Sequence, residues 1–555
     1  MIWPTRFTKS MVERYMAEGL WTEETMVSRL RSLAKEKADA LAASDAQRRL
    51  TWAELDSESF RVGRSLREIG LKRGELVLVQ LPNWVENLLT RYALKRAGLL
   101  GAYVPVVWRE AELERVVRSS GARAIVAPAR FLGTDFHEMF QRMREKFPNL
   151  QRGVFVRGEV AGSAGAFCWE EFATGKGVGS PDPKTPDPLA VQEDDAQAFE
   201  PWEVSLISVS SGSTGAPKLC EWPEAAHWLA GRGLAQRLEI SSQDVVGIFC
   251  PLGGGAGAMG WLVALAAGAR IVLGESFHAE EMLDTISRER VSFISTVPTI
   301  LLRLLDVSDL SRWDLSALRL IRTGTAAISQ AAAREAERRL GAKIVPAAGS
   351  MEAIMFTQTS PHDPPEIRLG GSVGRPLPGG EVRILGIDGA PAQAGEVGEL
   401  EIRGAYTGSG YFGDVHATQA AWGTLGEEGW LRTGDLAFMN SDRSLFIVGR
   451  VRDVIVRGGH KIFPTELEEL LMQHPAVREA VVVGIPHEKL GEATRACVVP
   501  RDGQSLTQDD VRDFLKLKQI ATYKFPDEFL LLYELPRLPG GKVDRKNLAS
   551  RELGL

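Results

Sequence analysis

Through most of its length the chain alternates short, uninterrupted apolar runs with segments whose apolar residues recur at helical spacing, and that alternation leaves few folds open. The runs lie at 76–81, 124–127, 205–209, 245–249, 270–273 and 292–295, and segments of helical period such as 86–97 and 331–340 adjoin them. A run that is apolar on both faces has to be covered on both faces, which points to an α/β chain with largely buried sheets. From about Gly380 the pattern changes to short strands at 382–385, 398–403 and 445–448 with Gly-rich turns, as in a small β-barrel-like lobe. A second break falls at 449–453. Beyond it, a helix opening at Pro464, a strand at 480–485 and a helix at 507–517 make a compact α+β unit. The Pro- and Asp-rich stretch 180–195 reads as an exposed connector. At 555 residues the chain exceeds the ~250–300 residues at which a single core stops growing, so several domains are expected.

Hydrophobic residues make up 44% and charged residues 25%, the balance of a soluble globular protein. A net charge of -6 gives no electrostatic reason to expect nucleic acid as a partner. Cys168, Cys220, Cys250 and Cys497 stand far apart, without metal-ligand spacing, and read as reduced thiols of a cytoplasmic protein. The first residues show no basic segment followed by an apolar run, so no secretory signal is expected. No stretch reaches the ~18 apolar residues of a membrane span, so no membrane insertion is expected either.

The most informative segment runs from 205 to 218: Ser-Leu-Ile-Ser-Val-Ser-Ser-Gly-Ser-Thr-Gly-Ala-Pro-Lys. An apolar strand leads straight into Ser210, Ser211, Gly212, Ser213, Thr214 and Gly215, and Lys218 closes the loop. Glycines let backbone N–H groups approach an anion, hydroxyls wrap phosphate oxygens, and the lysine adds positive charge. A Walker loop would need Gly and Lys adjacent and a Ser or Thr next; here Ala216 and Pro217 intervene and Leu219 follows.

Further motifs follow in order. They are Gly324-Thr325-Ala326, Gly349-Ser350-Met351-Glu352, the run 398–404 (Gly-Glu-Leu-Glu-Ile-Arg-Gly) and 430–435 (Trp-Leu-Arg-Thr-Gly-Asp). After these come 449–453 (Gly-Arg-Val-Arg-Asp), 457–461 (Arg-Gly-Gly-His-Lys) and 539–542 (Pro-Gly-Gly-Lys). Loop and motifs together resemble the signature of the adenylate-forming superfamily, which comprises acyl-CoA ligases, peptide-synthetase adenylation domains and luciferases. The resemblance spans nearly the whole chain. It implies an N-terminal adenylation domain at 1–449 with two α/β sheet lobes and the barrel-like lobe, a hinge at 450–453, and a small mobile α+β domain at 454–555.

It also implies the chemistry. A carboxylate attacks the α-phosphate of ATP and pyrophosphate leaves, so two anions must meet and cations must lower their repulsion. The phosphate loop, with Thr214 and Lys218, would grip the phosphates, and Glu352 would hold Mg²⁺ against them. Gly324, Thr325, Ala326, Ala348, Gly349, Ser350 and Met351 match nucleotide-site positions, Asp435 the ribose ligand, and Arg450 its support. Lys542 matches the lysine that bridges substrate carboxylate and α-phosphate. Arg452 occupies the hinge position, usually Asp or Lys, about which the small domain swings between adenylation and thiol transfer. Gly458, Gly459 and Lys461 would serve the second state, where coenzyme A delivers its thiol; a plain turn before Lys461 is the other reading of the glycine pair.

Two positions depart from the family. Ala348 replaces an aromatic that stacks on adenine, a loss of ~1–3 kcal/mol if nothing substitutes. Met351 replaces a Thr that touches the α-phosphate. These departures admit a third reading, an adenylate-binding pseudoenzyme, against which Lys542, Glu352 and Asp435 argue. Gly255-Ala-Gly-Ala-Met-Gly260 satisfies a dinucleotide-binding pattern, with Glu275 near the expected acidic position, and keeps an NAD-dependent oxidoreductase as a remote alternative.

The phrase at 12–21 (Val-Glu-Arg-Tyr-Met-Ala-Glu-Gly-Leu-Trp) and the Lys218-Leu219 ending look most like the branch that activates aryl acids, including dihydroxybenzoate ligases. Those enzymes carry a His-Asn pair, whose Asn reads an ortho hydroxyl, where this chain has Leu252-Gly253. A site that cannot bond that hydroxyl should not demand it. Leu252, Gly253, Gly257, Gly324, Thr325 and Met351 would form a mostly apolar, flat slot suited to benzoate or anthranilate. The chain stops soon after Lys542, so coenzyme A is the simplest acceptor and a separate acyl carrier protein the runner-up.

Overall fold

The computed structural model describes residues 3–160, 164–174, 198–210, 217–275, 277–326, 328–386, 388–501, 503–537 and 543–550. Ser211, Gly212, Ser213, Thr214, Gly215 and Lys542 lie outside the described residues, as does the connector at 180–195.

The apolar runs become strands of two large sheets. An eight-stranded sheet has the order Gly410–Tyr411, Lys218–Pro223, Val204–Ser210, Leu100–Tyr103, Leu76–Val79, Ala124–Pro128, Arg152–Val156 and Ala166–Cys168. A thirteen-stranded sheet contains a parallel stretch in which Lys343–Ala348, Leu320–Thr323, Phe293–Thr296, Val245–Ile248, Arg270–Leu273 and Leu41–Ser44 lie side by side. Its far limb is antiparallel and includes Ser372–Pro376, Gly380–Leu385, Gly398–Gly404, Leu431–Met439 and Leu445–Arg450. Register shifts at 372/374, 399/401 and 436/437 bend this limb, as bulges do.

Three helices lie in the core: Val85–Ala97, buried at every residue, Glu224–Arg237 and Gly255–Ala267. Their few charges find partners, as burial requires. Lys95 Nζ donates to Glu224 Oε2 at 2.9 Å and Ser205 Oγ at 3.0 Å, and Arg96 pairs with Asp56.

Residues 455–531 build a separate five-stranded sheet with its own apolar clusters, one around Ile455, Leu467, Val482 and Phe529, the other around Val483, Cys497 and Leu548. The helix expected at Pro464 is Pro464–Leu471, with proline in the first turn where no hydrogen bond is lost. The helix expected at 507–517 is Gln508–Leu517, capped by Thr507, whose hydroxyl accepts from the Asp510 N–H. Among the described residues no helix is long and apolar enough to cross a membrane.

Candidate active site

The parallel strands of the large sheet all end at one edge, where an open α/β sheet receives its ligand. Residues 252–253 follow Val245–Ile248, residues 324–326 follow Leu320–Thr323, and residues 349–352 follow Lys343–Ala348. The turn at 349–354 is tight. Ser350 N donates to Ala353 O at 2.9 Å, and Ser350 Oγ accepts from the N–H groups of Glu352 (3.2 Å) and Ala353 (3.1 Å). A Cβ on Gly349 would stand 2.3 Å from Ile354 O, so only glycine fits. Ala348 is 6% exposed and closes its strand, and the Met351 carbonyl accepts from Trp222 Nε1 at 3.1 Å. Thr325 holds φ at +69°, an unusual conformation for a β-branched residue and a mark of local strain in the loop beside Gly324 and Ala326.

Ser210 and Lys218 are facing partners of antiparallel strands, so the two ends of the proposed phosphate loop meet. Lys218 Nζ lies 3.4 Å from the Tyr411 hydroxyl and 4.7 Å from its ring centroid, and that hydroxyl donates to Glu352 Oε1 at 2.8 Å. Tyr411 thus joins the loop's cation to the predicted magnesium ligand. Burial and the Glu352 charge hold the phenol pKa well above its ordinary value, so it remains a donor. Glu352 is anchored by its backbone as well, its carbonyl accepting from Gly408 N at 2.7 Å. Among the described residues no partner takes Oε2. One carboxylate with a free oxygen suits Mg²⁺, which binds through one or two carboxylates plus substrate phosphates and favours hard oxygen donors.

Asp435 and Arg450 are facing residues of neighbouring strands, and Arg450 Nε lies 2.8 Å from Asp435 Oδ1. Asp435 is 9% exposed. Arg452 stands in the turn Val451–Asp453 with its side chain largely in solvent, 3.6 Å from Asp453. Gly458 and Gly459 have φ of +55° and +86° and join Ile455–Arg457 to His460–Ile462 through a two-residue turn, which accounts for both glycines. Lys461 is exposed on the second of these strands.

Leu252 and Gly253, expected to line the acid slot, follow the strand Val245–Ile248. Leu252 is 1% exposed and belongs to the core. Its backbone is gripped by the helix Val85–Ala97 and the loop before it: Leu252 N donates to Asn83 Oδ1 at 3.0 Å, and Arg91 Nη2 donates to Leu252 O at 2.6 Å. Asn83 Nδ2 also donates to the carbonyls of Cys250 (2.9 Å), Gly274 (3.1 Å) and Ile248 (3.3 Å). Arg91 lies 3.8 Å from the Tyr103 ring centroid and 4.9 Å from that of Trp261, and a Cβ on Gly253 would meet Tyr103 Cβ at 3.0 Å. Beneath Gly324 sits Arg322, buried, whose pKa burial lowers to about 10. Asn83, Arg91, Arg322 and Tyr411 were all missed in the sequence. The one readable signal was Arg322, a charge inside an apolar strand.

Asn83→Ala is expected to raise KM for the acid about 10-fold, because two or more buried backbone groups lose their partners and the glycine loop loosens. KM for ATP should stay within about 2-fold, since a loop shift of this kind leaves uniform nucleotide binding alone. Parallel titrations of acid and ATP check this; equal changes in both would contradict it.

Two glycines of the 255–260 motif, Gly257 and Gly260, have packing reasons. A Cβ on Gly257 would lie 2.3 Å from Pro251 O and 2.7 Å from Cys250 O, and one on Gly260 would lie 3.1 Å from Ile248. Gly257→Ala is expected to cost about 1–3 kcal/mol through this overpacking. A thermal melt reads it as a lowered Tm, and an unchanged Tm would count against the packing explanation.

The family model for the AMP-binding enzyme matches residues 30–412, and that for the AMP-binding enzyme C-terminal domain matches residues 466–542. The chain is 28% identical to the 2,3-dihydroxybenzoate-AMP ligase of Bacillus subtilis, covering 98% of this chain and 96% of that protein. It is 30% identical to the 2-hydroxy-7-methoxy-5-methyl-1-naphthoate–CoA ligase of Streptomyces carzinostaticus, covering 98% and 96%. A crystal structure of an anthranilate CoA ligase in complex with anthranoyl-AMP superposes with a TM-score of 0.84, at 24% identity, over 96% of this chain and 97% of that one.

Proposed function

The chain belongs to the AMP-binding enzyme family and is an AMP-forming ligase, and from that premise we propose that it activates a benzoate-type aromatic acid, anthranilate among the candidates, and passes the aryl group to coenzyme A. The observation that carries the aryl reading is near full-length similarity to two relatives named for aromatic acids.

In the first step a carboxylate oxygen attacks the α-phosphorus and the bond to the bridging oxygen of pyrophosphate breaks, giving an aryl-adenylate with no proton transferred. Mg²⁺ held by Glu352 would neutralise phosphate charge. Ser210, Ser211, Gly212, Ser213, Thr214, Gly215 and Lys218 would wrap the phosphates, with Tyr411 keeping Lys218 and Glu352 in register. Asp435, oriented by Arg450, would bind the ribose hydroxyls, and residues 324–326 and 348–351 would line the nucleotide. Lys542 would bridge carboxylate and α-phosphate as the charge develops. In the second step the small domain at 454–555 would turn about Arg452 and bring Gly458, Gly459 and Lys461 to the pantetheine path. The thiol loses its proton, sulfur attacks the carbonyl carbon, and AMP departs.

Pyrophosphate release across a panel of acids, with and without coenzyme A, tests the reading. Turnover on benzoate or anthranilate with thioester formation from coenzyme A alone is expected. Turnover on 2,3-dihydroxybenzoate with none on benzoate or anthranilate would sink the slot assignment. Adenylation without a coenzyme A thioester would favour the second reading, a stand-alone ligase loading a separate carrier protein, which the name of the Bacillus relative supports. We place the enzyme in the cytoplasm on the wide spacing of Cys168, Cys220, Cys250 and Cys497 in the sequence, which reads as the pattern of reduced thiols.

A further inference from the structure

Among the described residues, buried arginines fall into two groups with one exception. Arg96, Arg368 and Arg495 are each buried and each pair with a carboxylate, of Asp56, Glu337 and Glu528. Arg6 and Arg91, buried without such a partner, instead lie against aromatic rings, Phe7 and Trp422 for the first and Tyr103 and Trp261 for the second. Arg322 has neither. It is 3% exposed, and its hydrogen bonds go to neutral atoms: Nε to Gln358 Oε1 at 3.2 Å, Nη1 to Ser295 Oγ at 3.0 Å, and Nη2 to Met355 Sδ at 3.4 Å. A thioether is a weak acceptor. Among the described residues no carboxylate lies within ion-pair distance of this guanidinium. A buried cation without a counter-ion is costly, and its presence calls for a partner that arrives from elsewhere.

The position of Arg322 says where that partner would come from. Its Cα belongs to Leu320–Thr323, two residues before Gly324, so both residues share a face of the sheet and Arg322 lies roughly 6–7 Å deeper. A Cβ on Gly324 would stand 3.3 Å from Arg322 Nη2. The nitrogen with the poorest partner therefore lies under Gly324, where no side chain stands between them.

We infer that Arg322 is the recognition group for a second anionic substituent on the acid, so that the substrate class is an aromatic acid bearing a ring carboxylate or equivalent anionic oxygen group besides the carboxylate that is adenylated. This rests on the aryl-acid reading of the slot. The anion would exchange the sulfur contact at Nη2 for a charge-assisted hydrogen bond, and a substrate without it would leave the buried donor without an adequate acceptor. The neutral amine of anthranilate offers no such acceptor, which ranks anthranilate below an acid with an anionic ring group.

Pyrophosphate release by the wild-type enzyme should be compared for benzoate, the three benzenedicarboxylates and their monomethyl esters. At least one diacid is expected to exceed both its monoester and benzoate by about 50-fold or more in kcat/KM, as sites built to bond a buried polar group do. In Arg322→Met the ratio of diacid to benzoate should collapse towards unity, and Arg322→Lys should restore part of it. A purely structural role would lower both acids by one factor and leave the ratio intact, which would overturn the inference. So would a wild-type enzyme that favours no diacid over its monoester, a comparison that stands even where the variants fail to fold. If no aromatic acid releases pyrophosphate, the aryl-acid reading itself falls; if benzoates react without preference for a second anion, only the Arg322 inference falls.

Discussion

Lys542→Ala is expected to lower pyrophosphate release by about 10³-fold while leaving thioester formation from supplied aryl-adenylate and coenzyme A within about 3-fold. The asymmetry follows from charge. Adenylation brings a carboxylate to a phosphate that is already anionic, and the transition state spreads further negative charge over both. A single ammonium within reach of both oxygens stabilises that arrangement more than either ground state, so its removal acts on the first step. Loss of one donor at such a site typically costs about 10²–10³, and a lost full charge stands at the upper end. Thiol transfer starts from a mixed anhydride whose attacking group is sulfur, and nothing in that step needs the bridge. Single-turnover assays of each half-reaction separate the two; an equal fall in both would refute the role assigned to Lys542.

Glu352→Gln should cost about 10²–10³ in kcat/KM for MgATP, because a neutral amide is a poor ligand for a hard cation and several kcal/mol of charge stabilisation depend on the metal. The fold should persist, since the turn is held by backbone groups: Gly408 N on Glu352 O, and Ser350 Oγ on the N–H groups of Glu352 and Ala353. The measurement is the Mg²⁺ concentration at half-maximal pyrophosphate release together with the melting temperature. An unchanged half-saturation would remove Glu352 from the metal site, and a large drop in Tm would mean that the residue is structural. Tyr411→Phe makes the graded comparison. It removes the 2.8 Å hydrogen bond to Oε1 and the link to Lys218 while leaving the carboxylate, so its effect should be about 10-fold or less.

Much of the large-scale organisation was legible in the sequence because it depends on local pattern. Apolar runs such as 245–249 and 292–295 have no stable exposed state and become Val245–Ile248 and Phe293–Thr296. The Asp435 and Arg450 motifs, fifteen positions apart in the chain, meet because an antiparallel pair folds them back to a 2.8 Å contact. The dinucleotide-like glycines left a remote alternative open for a physical reason. Spacing alone cannot tell a glycine that clears a phosphate from one that clears the Pro251 and Cys250 carbonyls.

The sequence by itself determined the kind of fold, the order of the motifs and the class of chemistry, since each rests on residues close together in the chain or on a run of motifs in order. Only the tertiary structure decided which side chains stand behind them. Tyr411 reaches Glu352 and Lys218, Asn83 and Arg91 reach the Leu252 backbone, and Arg322 reaches the underside of Gly324. Four of these contacts bridge 59 to 193 positions of chain. The fifth, between Arg322 and Gly324, follows from the alternation of a strand over two residues, but the buried surroundings that leave Arg322 without a counter-ion among the described residues come from distant parts of the chain, Ser295 and Gln358 among them.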